Sequence, residues 1–237
     1  MKIVSWNIQQ GGGRRIPNIL GVISEHDADT VVLSEVTPDR AGELRAGLEA
    51  LGYSHCHLPA IPPRDRGVLL ASREACELRA GRETSGLPHH RWAEVWFPAP
   101  AFSVVCTYFP AIPDAIRAFW PLVHRACSDL RHRPVLIVGD LNSGETACDA
   151  QGTPLSGDPW FTAMPLHGFT DLWRLAHGDR REYSWFSQRG GRDLNGFRLD
   201  HAFGSATLHG RVRTCCYSHG ERTARVSDHS ALVLTVA

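Results

Sequence analysis

Short apolar runs of strand length alternate along this chain with stretches in which apolar residues recur every three or four positions. The run Lys2 to Asn7 (KIVSWN) predicts a strand that starts almost at residue 1. Pro17 then sits where a first helical turn begins, and Ile16, Ile19, Leu20 and Ile23 keep helical spacing up to His26. Thr30 to Leu33 predicts a short buried strand, and about Asp39 to Leu51 a helix with Leu44, Leu48 and Leu51 on one face. Strands are expected next at Tyr53 to Leu58, Gly67 to Ser72, Arg91 to Phe97 and Phe102 to Tyr108. A helix from about Asp114 to Leu130 leads into the apolar strand Val135 to Val138, which stops at Gly139-Asp140. The stretch 143–158, rich in Gly, Thr and Asp, predicts a long loop, and Pro159 to Leu175 one or two short helices. Three final strands are expected near Tyr183 to Phe186, Phe197 to Phe203 and Arg225 to Val236.

No linker interrupts this alternation, so one α/β domain spanning 1–237 is expected. An apolar content of 43% supplies a sizeable core, and no run is long and apolar enough to span a membrane. The N-terminus MKIVSWNIQQ lacks the apolar segment of a signal peptide, which makes a cytoplasmic protein the expectation. The seven cysteines have irregular spacing with no C-x-x-C, and are read as reduced, mostly buried thiols. Cys215 and Cys216 suit two opposite faces of a strand. No heptad pattern requires a dimer, so a monomer is expected.

Formal net charge is zero, which removes any global attraction to a polyanion. The basic residues are 24 arginines and one lysine, Lys2. Arginine is the better bidentate phosphate ligand, so a cleft that gathers several of them can still bind phosphates.

Polar residues collect at the ends of the predicted strands, where α/β scaffolds place their chemistry. Asn7 ends the first strand, Glu35 follows VVL-Ser34, and Asp140 and Asn142 lie two apart in Gly139-Asp140-Leu141-Asn142. If the strand continues, Asp140 and Asn142 share a face; alternatively a turn closes it there. Asp200-His201 follows Phe197-Arg198-Leu199, and Ser227-Asp228-His229 precedes the last strand, where the serine alone would be a plain cap. Hard divalent cations prefer carboxylate and carbonyl oxygen. Glu35 supplies such a ligand, with Asn7 and Asp228 as helpers. An aspartate holds a histidine in one tautomer, a role open to Asp200 with His229. Asp140 and Asn142 suit the handling of water or a phosphate oxygen. His55, His57, His89, His90 and His167 have no partner at ligand spacing and read as surface or structural residues.

The segments IVSWNIQ, VVLSEV, RGVLLAS, VVCTYFP, VGDLNSG, FTDLWR, YSWFS, NGFRLDH and SDHSALVL follow one another from end to end of the chain. In order and spacing the chain resembles the endonuclease/exonuclease/phosphatase superfamily. That resemblance implies a four-layered α/β sandwich, two mixed β-sheets packed face to face with helices outside. The stretch YSWFSQRGGRDLNGFRLDH, with Tyr108-Phe109-Pro110, is most similar to exonuclease III and the apurinic/apyrimidinic endonucleases. Inositol-polyphosphate phosphatases would carry basic residues after GDLN, where this chain has Ser143-Gly144.

The resemblance implies a role for each position. Glu35 would be the main ligand of Mg²⁺ (or Mn²⁺), with Asn7 beside it and Asp228 at the metal or the leaving group. Asp140 would activate or position the attacking water, while Asn142 and Tyr108 contact the scissile phosphate. His229, oriented by Asp200, would stabilise charge on that phosphate; either Asp140 or His229 would be the base. Trp185, Phe186 and Asn195 would wall a pocket for a sugar or base, against a reading of the aromatics as core. Arg66, Arg189, Arg192 and Arg198 are candidates for backbone phosphates, against a reading as solvated loop residues.

Two positions depart from the pattern: Ser34 replaces a glutamine, and Ala111 stands where abasic-site enzymes carry an asparagine or glutamine. A metal-dependent phosphodiesterase acting on DNA, as endonuclease or 3′-exonuclease and with abasic-site cleavage in scope, is the leading expectation. A phosphodiesterase or phosphatase for a small molecule, lipid headgroup or protein–DNA adduct is the alternative on the same metal core. A catalytically dead binding module is disfavoured, because every acidic and histidine position is filled.

Overall fold

The computed structural model describes residues 1–79 and 86–237. In chain order it begins with β1 (Lys2–Asn7), α1 (Ile16–His26), β2 (Thr30–Val36), α2 (Ala41–Ala50), β3 (His55–His57) and β4 (Gly67–Ser72). Next come β5 (Glu77–Arg79), β6 (Trp92–Phe97), β7 (Phe102–Tyr108), α3 (Pro113–Leu130) and β8 (Val135–Asp140). Two single turns, α4 (Thr146–Asp149) and α5 (Asp158–Phe161), precede β9 (Phe169–Asp171) and α6 (Leu172–His177). The last elements are β10 (Trp185–Arg189), β11 (Arg192–Phe197), β12 (Asp200–Ser205), β13 (Val212–Ser218), α7 (Gly220–Thr223) and β14 (Ala231–Val236).

Among the described residues the strands form two six-stranded sheets and a ribbon. One sheet has the order β13-β14-β1-β2-β4-β3, the other β5-β6-β7-β8-β12-β9, and β10-β11 pair alone. Both are mixed: β1 runs parallel to β2 and β7 parallel to β8, while the other neighbours are antiparallel.

Period-two alternation explains the layering. In the first sheet Ile3, Val32, Val68, Leu70, Leu232 and Leu234 face inward, where they meet Val95, Val104, Cys106, Leu136, Val138 and Ala202 of the second. Their sequence neighbours point the other way. Val4, Trp6, Val31, Leu33 and Leu69 pack under α1 and α2. Val105, Val135, Ile137 and Phe203 pack under α3, whose Ile116, Phe119, Trp120, Val123 and Leu130 keep helical spacing. Each such side chain contributes roughly 1.5–3 kcal/mol on burial, so both faces of both sheets are committed. The result is the expected α/β/β/α sandwich.

Several expectations change in detail. Val212–Ser218 forms an unforeseen edge strand, because only its alternate residues are covered. It does carry Cys215 buried and Cys216 exposed, on opposite faces as expected, and all seven cysteines are free. The three-residue strands β5 and β9 also went unpredicted, being too short for a readable period. The single run expected at Phe197 to Phe203 breaks at Arg198-Leu199 into β11 and β12. No helix among the described residues is long and apolar enough to cross a membrane.

Candidate active site

At one end of the sandwich the inward-facing columns turn from apolar to polar. On β1 the column Ile3, Ser5 ends at Asn7; on β7, Val104 and Cys106 end at Tyr108; on β8, Leu136 and Val138 end at Asp140. Register aligns these ends. Asp140 lies opposite Tyr108 on one side and Asp200, the first residue of β12, on the other. Asn7 lies opposite Ser34. Glu35 does not follow the alternation: the β2–β4 register shifts between Leu33 and Val36, and Glu35 adopts a left-handed φ of 62°. Such a conformation costs a non-glycine residue of order 1–3 kcal/mol and is typical of functional sites. Gly139 has a φ of 151°, and a Cβ there would stand 1.8 Å from the Thr107 carbonyl oxygen, so the residue before Asp140 must be glycine.

The side chains meet across the two sheets. Asn7 Nδ2 donates to Asp140 Oδ2 at 2.8 Å and lies 3.5 Å from His229 Nε2. His229 Nδ1 donates to Asp200 Oδ2 at 2.7 Å, which leaves Nε2 directed at the Asn7–Asp140 pair. Asn142 takes a left-handed φ of 46°, so the strand closes in a turn rather than continuing. That turn lets its backbone N–H donate to Asp140 Oδ1 at 2.9 Å and its amide to the Phe109 carbonyl at 3.1 Å. Tyr108 Oη donates to Glu35 Oε1 at 3.2 Å, and the Gln10 N–H donates to Glu35 Oε2 at 2.7 Å. Arg66 Nη1 stands 3.7 Å from the same Oε2. Trp185 Nε1 donates to Asp228 Oδ2 at 3.0 Å.

Burial sets the charges. Asp140 is pushed up to about 7, first by burial and then by the Asp200 carboxylate, with His229 opposing. Burial works against a charge on His229, but Asp200, by charge and hydrogen bond, and then Asp140 and Asp228 raise it to about 10. The two shifts both run upward, favouring the neutral form of Asp140 and the charged form of His229. Tyr108 is pushed well up by burial and by Glu35 and Asp140, so its phenol stays protonated.

The donor set suits a hard divalent cation. Glu35 offers a carboxylate, Asn7 an amide oxygen, and Asp228 Oδ1 is buried with no hydrogen-bond partner among the described residues. No three His, Cys, Asp or Glu side chains among the described residues gather as a cage.

Not every predicted residue joins this cluster. Arg198 is a correction. Its guanidinium is 1% exposed. It is held by Asp149 at 2.7 and 2.9 Å and by Asp171 at 2.6 Å, so it cannot present itself to a backbone phosphate. Asp171 is held far below the usual carboxylate range: burial pushes it up, but the Arg198 charge, His201 and their hydrogen bonds together outweigh that. Trp185 adjoins Asp228 and His229, but Phe186 packs on Tyr183 and under the Arg222 guanidinium. Asn195 is exposed on β11, and its amide fills the space that a Cβ at Gly152 would need. Arg189 and Arg192 are exposed on the ribbon. The His90 ring is structural, bound to Asp65 at 2.9 Å.

Other residues that shape the site had weak sequence signals. Ser227 donates to the Asn7 carbonyl at 2.6 Å and accepts the His229 N–H at 3.2 Å, a cap that also braces the centre. Trp6 Nε1 donates to the His229 carbonyl at 3.0 Å. Arg91 lies over the Tyr108 ring at 4.8 Å. Ser34 Oγ is buried and unpartnered among the described residues.

Solved structures share this architecture over the whole chain. An AP endonuclease from Archaeoglobus fulgidus matches with a TM-score of 0.85 at 20% identity, covering 100% of this chain and 99% of its own. A 3′ phosphatase, NExo, from Neisseria, bound to product DNA hairpin, matches with a TM-score of 0.81 at 20% identity and the same coverage. Among curated proteins, an exodeoxyribonuclease of Streptococcus pneumoniae is 24% identical over an alignment of 278 positions, covering 100% of this chain and 99% of the relative. At these identities the solved structures establish the fold. The family follows from a sequence model, Endonuclease/Exonuclease/phosphatase family, that matches residues 4–229. The chain thus belongs to the Endonuclease/Exonuclease/phosphatase family, enzymes that hydrolyse phosphoester bonds.

Proposed function

We propose that this protein is a divalent-metal-dependent phosphodiesterase acting on DNA, as an endonuclease or a 3′-exonuclease, by in-line attack of water on phosphorus. The observation that carries the reading is the geometry around Asn7, whose amide donates to Asp140 at 2.8 Å and lies 3.5 Å from the His229 ring that Asp200 holds at 2.7 Å. A carboxylate poised at about 7 is a suitable base for water near neutral pH. A histidine raised to about 10 is no base there; its Nε2–H is instead a charged donor for a phosphate oxygen as negative charge builds. Asp140 is therefore assigned the attacking water and His229 the phosphate. Asn142 and Tyr108 complete the phosphate's surroundings as donors. Glu35, with Asn7 and Asp228, would hold Mg²⁺ or Mn²⁺, which when bound neutralises the phosphate and the leaving oxygen. Arg66 reaches the rim from beside Glu35 and supplies a contact to a neighbouring phosphate. The relatives' descriptions, exodeoxyribonuclease, AP endonuclease and a 3′ phosphatase with product DNA, support DNA as the substrate.

A second reading has one specific observation in its favour. The loop after Phe109-Pro110 is Ala111-Ile112-Pro113, exposed and without a polar side chain, with Ile112 68% exposed. A small phosphodiester would need less from this rim than an abasic site. Purified protein with Mg²⁺ or Mn²⁺, offered abasic duplex, recessed-end duplex, single-stranded DNA and bis(p-nitrophenyl) phosphate, separates the readings. Metal-dependent cleavage of one or more of the DNAs is expected. Cleavage of the small ester alone overturns the DNA reading, and no cleavage of any of them overturns the phosphodiesterase reading.

A further inference from the structure

Asp200 opens β12 and His229 lies just before β14, so the two meet from strands of different sheets. Something must fix the distance between those two segments, because a carboxylate turned by one rotamer no longer reaches Nδ1. Ser184, just before the β10–β11 ribbon, is fully buried and touches both segments. Its Oγ accepts the Leu199 N–H at 3.0 Å and the Asp200 N–H at 3.2 Å. Its backbone N–H donates to the Phe197 carbonyl at 3.0 Å, and its own carbonyl accepts the Ser230 N–H at 2.8 Å. Trp185, next along, forms an isolated bridge with His229 and donates to Asp228. One residue thus joins the end of β11, the start of β12 and the residue that follows His229.

We propose that Ser184 is a positioning residue of the active site, whose hydroxyl oxygen holds the Asp200 backbone so that its carboxylate meets His229 Nδ1. The physical case is one of hydrogen-bond satisfaction. Buried backbone N–H groups must find an acceptor, and here two consecutive ones share one oxygen at the point where β11 breaks before β12. Alanine leaves both donors unmet, and the peptide must rotate or shift to find others. Asp200 moves with it, while the substrate contacts at Arg66, Asn142 and Tyr108 do not. The inference rests on the reading that Asp200 and His229 serve phosphoester hydrolysis, and the test separates the two.

The full-length chain is compared as wild type, Ser184→Ala, Ser184→Thr, Ser184→Cys and His229→Asn. Two readouts are taken: steady-state kinetics with Mg²⁺ on abasic duplex and on bis(p-nitrophenyl) phosphate, and the low-field proton NMR line of His229 Nδ1–H in metal-free protein. The line is assigned by its loss in His229→Asn. In Ser184→Ala we expect kcat to fall roughly 10- to 100-fold, as for a misplaced catalytic group, with KM within about twofold. The His229 line moves upfield and broadens. Threonine, which keeps the hydroxyl, restores both. If the alanine variant does not fold, Ser184→Cys is read instead; its sulfur is a weak acceptor, so an intermediate loss and a shifted line are expected.

A wild-type line and wild-type kcat in Ser184→Ala, or in Ser184→Cys where that variant is read, overturn the proposal. So does a rise in KM alone, or a threonine variant as impaired as the alanine one. Full activity of His229→Asn overturns the catalytic reading instead; the NMR line then decides whether Ser184 holds the pair.

Discussion

Replacing Asp200 by asparagine keeps the shape of the His229 partner and removes its charge. His229 is raised from 6.5 to about 10 against its own burial, with Asp200 the largest favourable contribution, followed by Asp140 and Asp228. At about 1.4 kcal/mol for each pH unit, that span corresponds to roughly 5 kcal/mol of preference for the charged ring. Asp200 is the largest favourable cause, so without its charge the burial is less opposed and the ring gives up its proton at a lower pH.

The sign for stability follows. A group whose folded value is raised stabilises fully below its unfolded value and loses that contribution as pH rises through the folded one. His229 therefore stabilises the wild type most below about 6.5, and the benefit disappears by about 10. Asp200→Asn should flatten this slope. Urea melts from pH 6 to 10 without metal should show the variant less stable by roughly 2–3 kcal/mol at pH 6, with the difference closing by pH 10. In the same variant the alkaline limb of kcat should move down from near 10. An unchanged limb, or a stability gap that widens with pH, refutes the assignment of a charged His229 to the phosphate.

Three further outcomes follow from the geometry. Arg198→Met leaves Asp171 buried without its arginine and Asp149 with Arg174 alone, so urea melts should show a loss of about 3–5 kcal/mol, with the DNA KM within about twofold of wild type. A surface-sized loss with a raised KM would return Arg198 to the interface. Arg66→Ala should do the reverse, leaving stability within about 0.5 kcal/mol while DNA binding weakens and its log–log salt slope falls by about one; an unchanged slope removes Arg66 from the substrate. Glu35→Gln should weaken Mn²⁺ binding at least about tenfold by calorimetry, and an unchanged affinity would place the ion elsewhere.

Where the polar residue ends an unbroken strand alternation, the site was legible from the chain. Tyr108 and Asp140 fall on the inward face because the apolar residues two and four positions earlier do, and Asn7 because Ile3 and the buried Ser5 do. The Asp200–His229 pair was also expected from residue type, and the structure joins them at 2.7 Å. Glu35 escapes that logic, since its direction comes from a register shift and a left-handed φ that no periodicity records. Arg198 reads from the chain as a phosphate candidate because the acids that hold it lie 49 and 27 residues away, where no local pattern records them. Ser184 and Ser227 carry no pattern of their own; their value lies in the backbone groups brought to them, as in the contact from Ser227 to Asn7 across 220 residues. In the fold, the long buried strands were readable and the edges were not, since β13 is half-solvated and β5 and β9 have three residues each.

Asp140 is the residue on which the account turns, because it meets Asn7 and Asn142 directly and is assigned the attacking water. Single-turnover cleavage of an abasic duplex by Asp140→Asn, beside its Kd for the same duplex, tests that most directly. The account predicts a folded protein that binds within about threefold of wild type and cleaves at least about 100-fold more slowly. Cleavage at the wild-type rate with unchanged binding would contradict it, and the base would have to be sought at another residue.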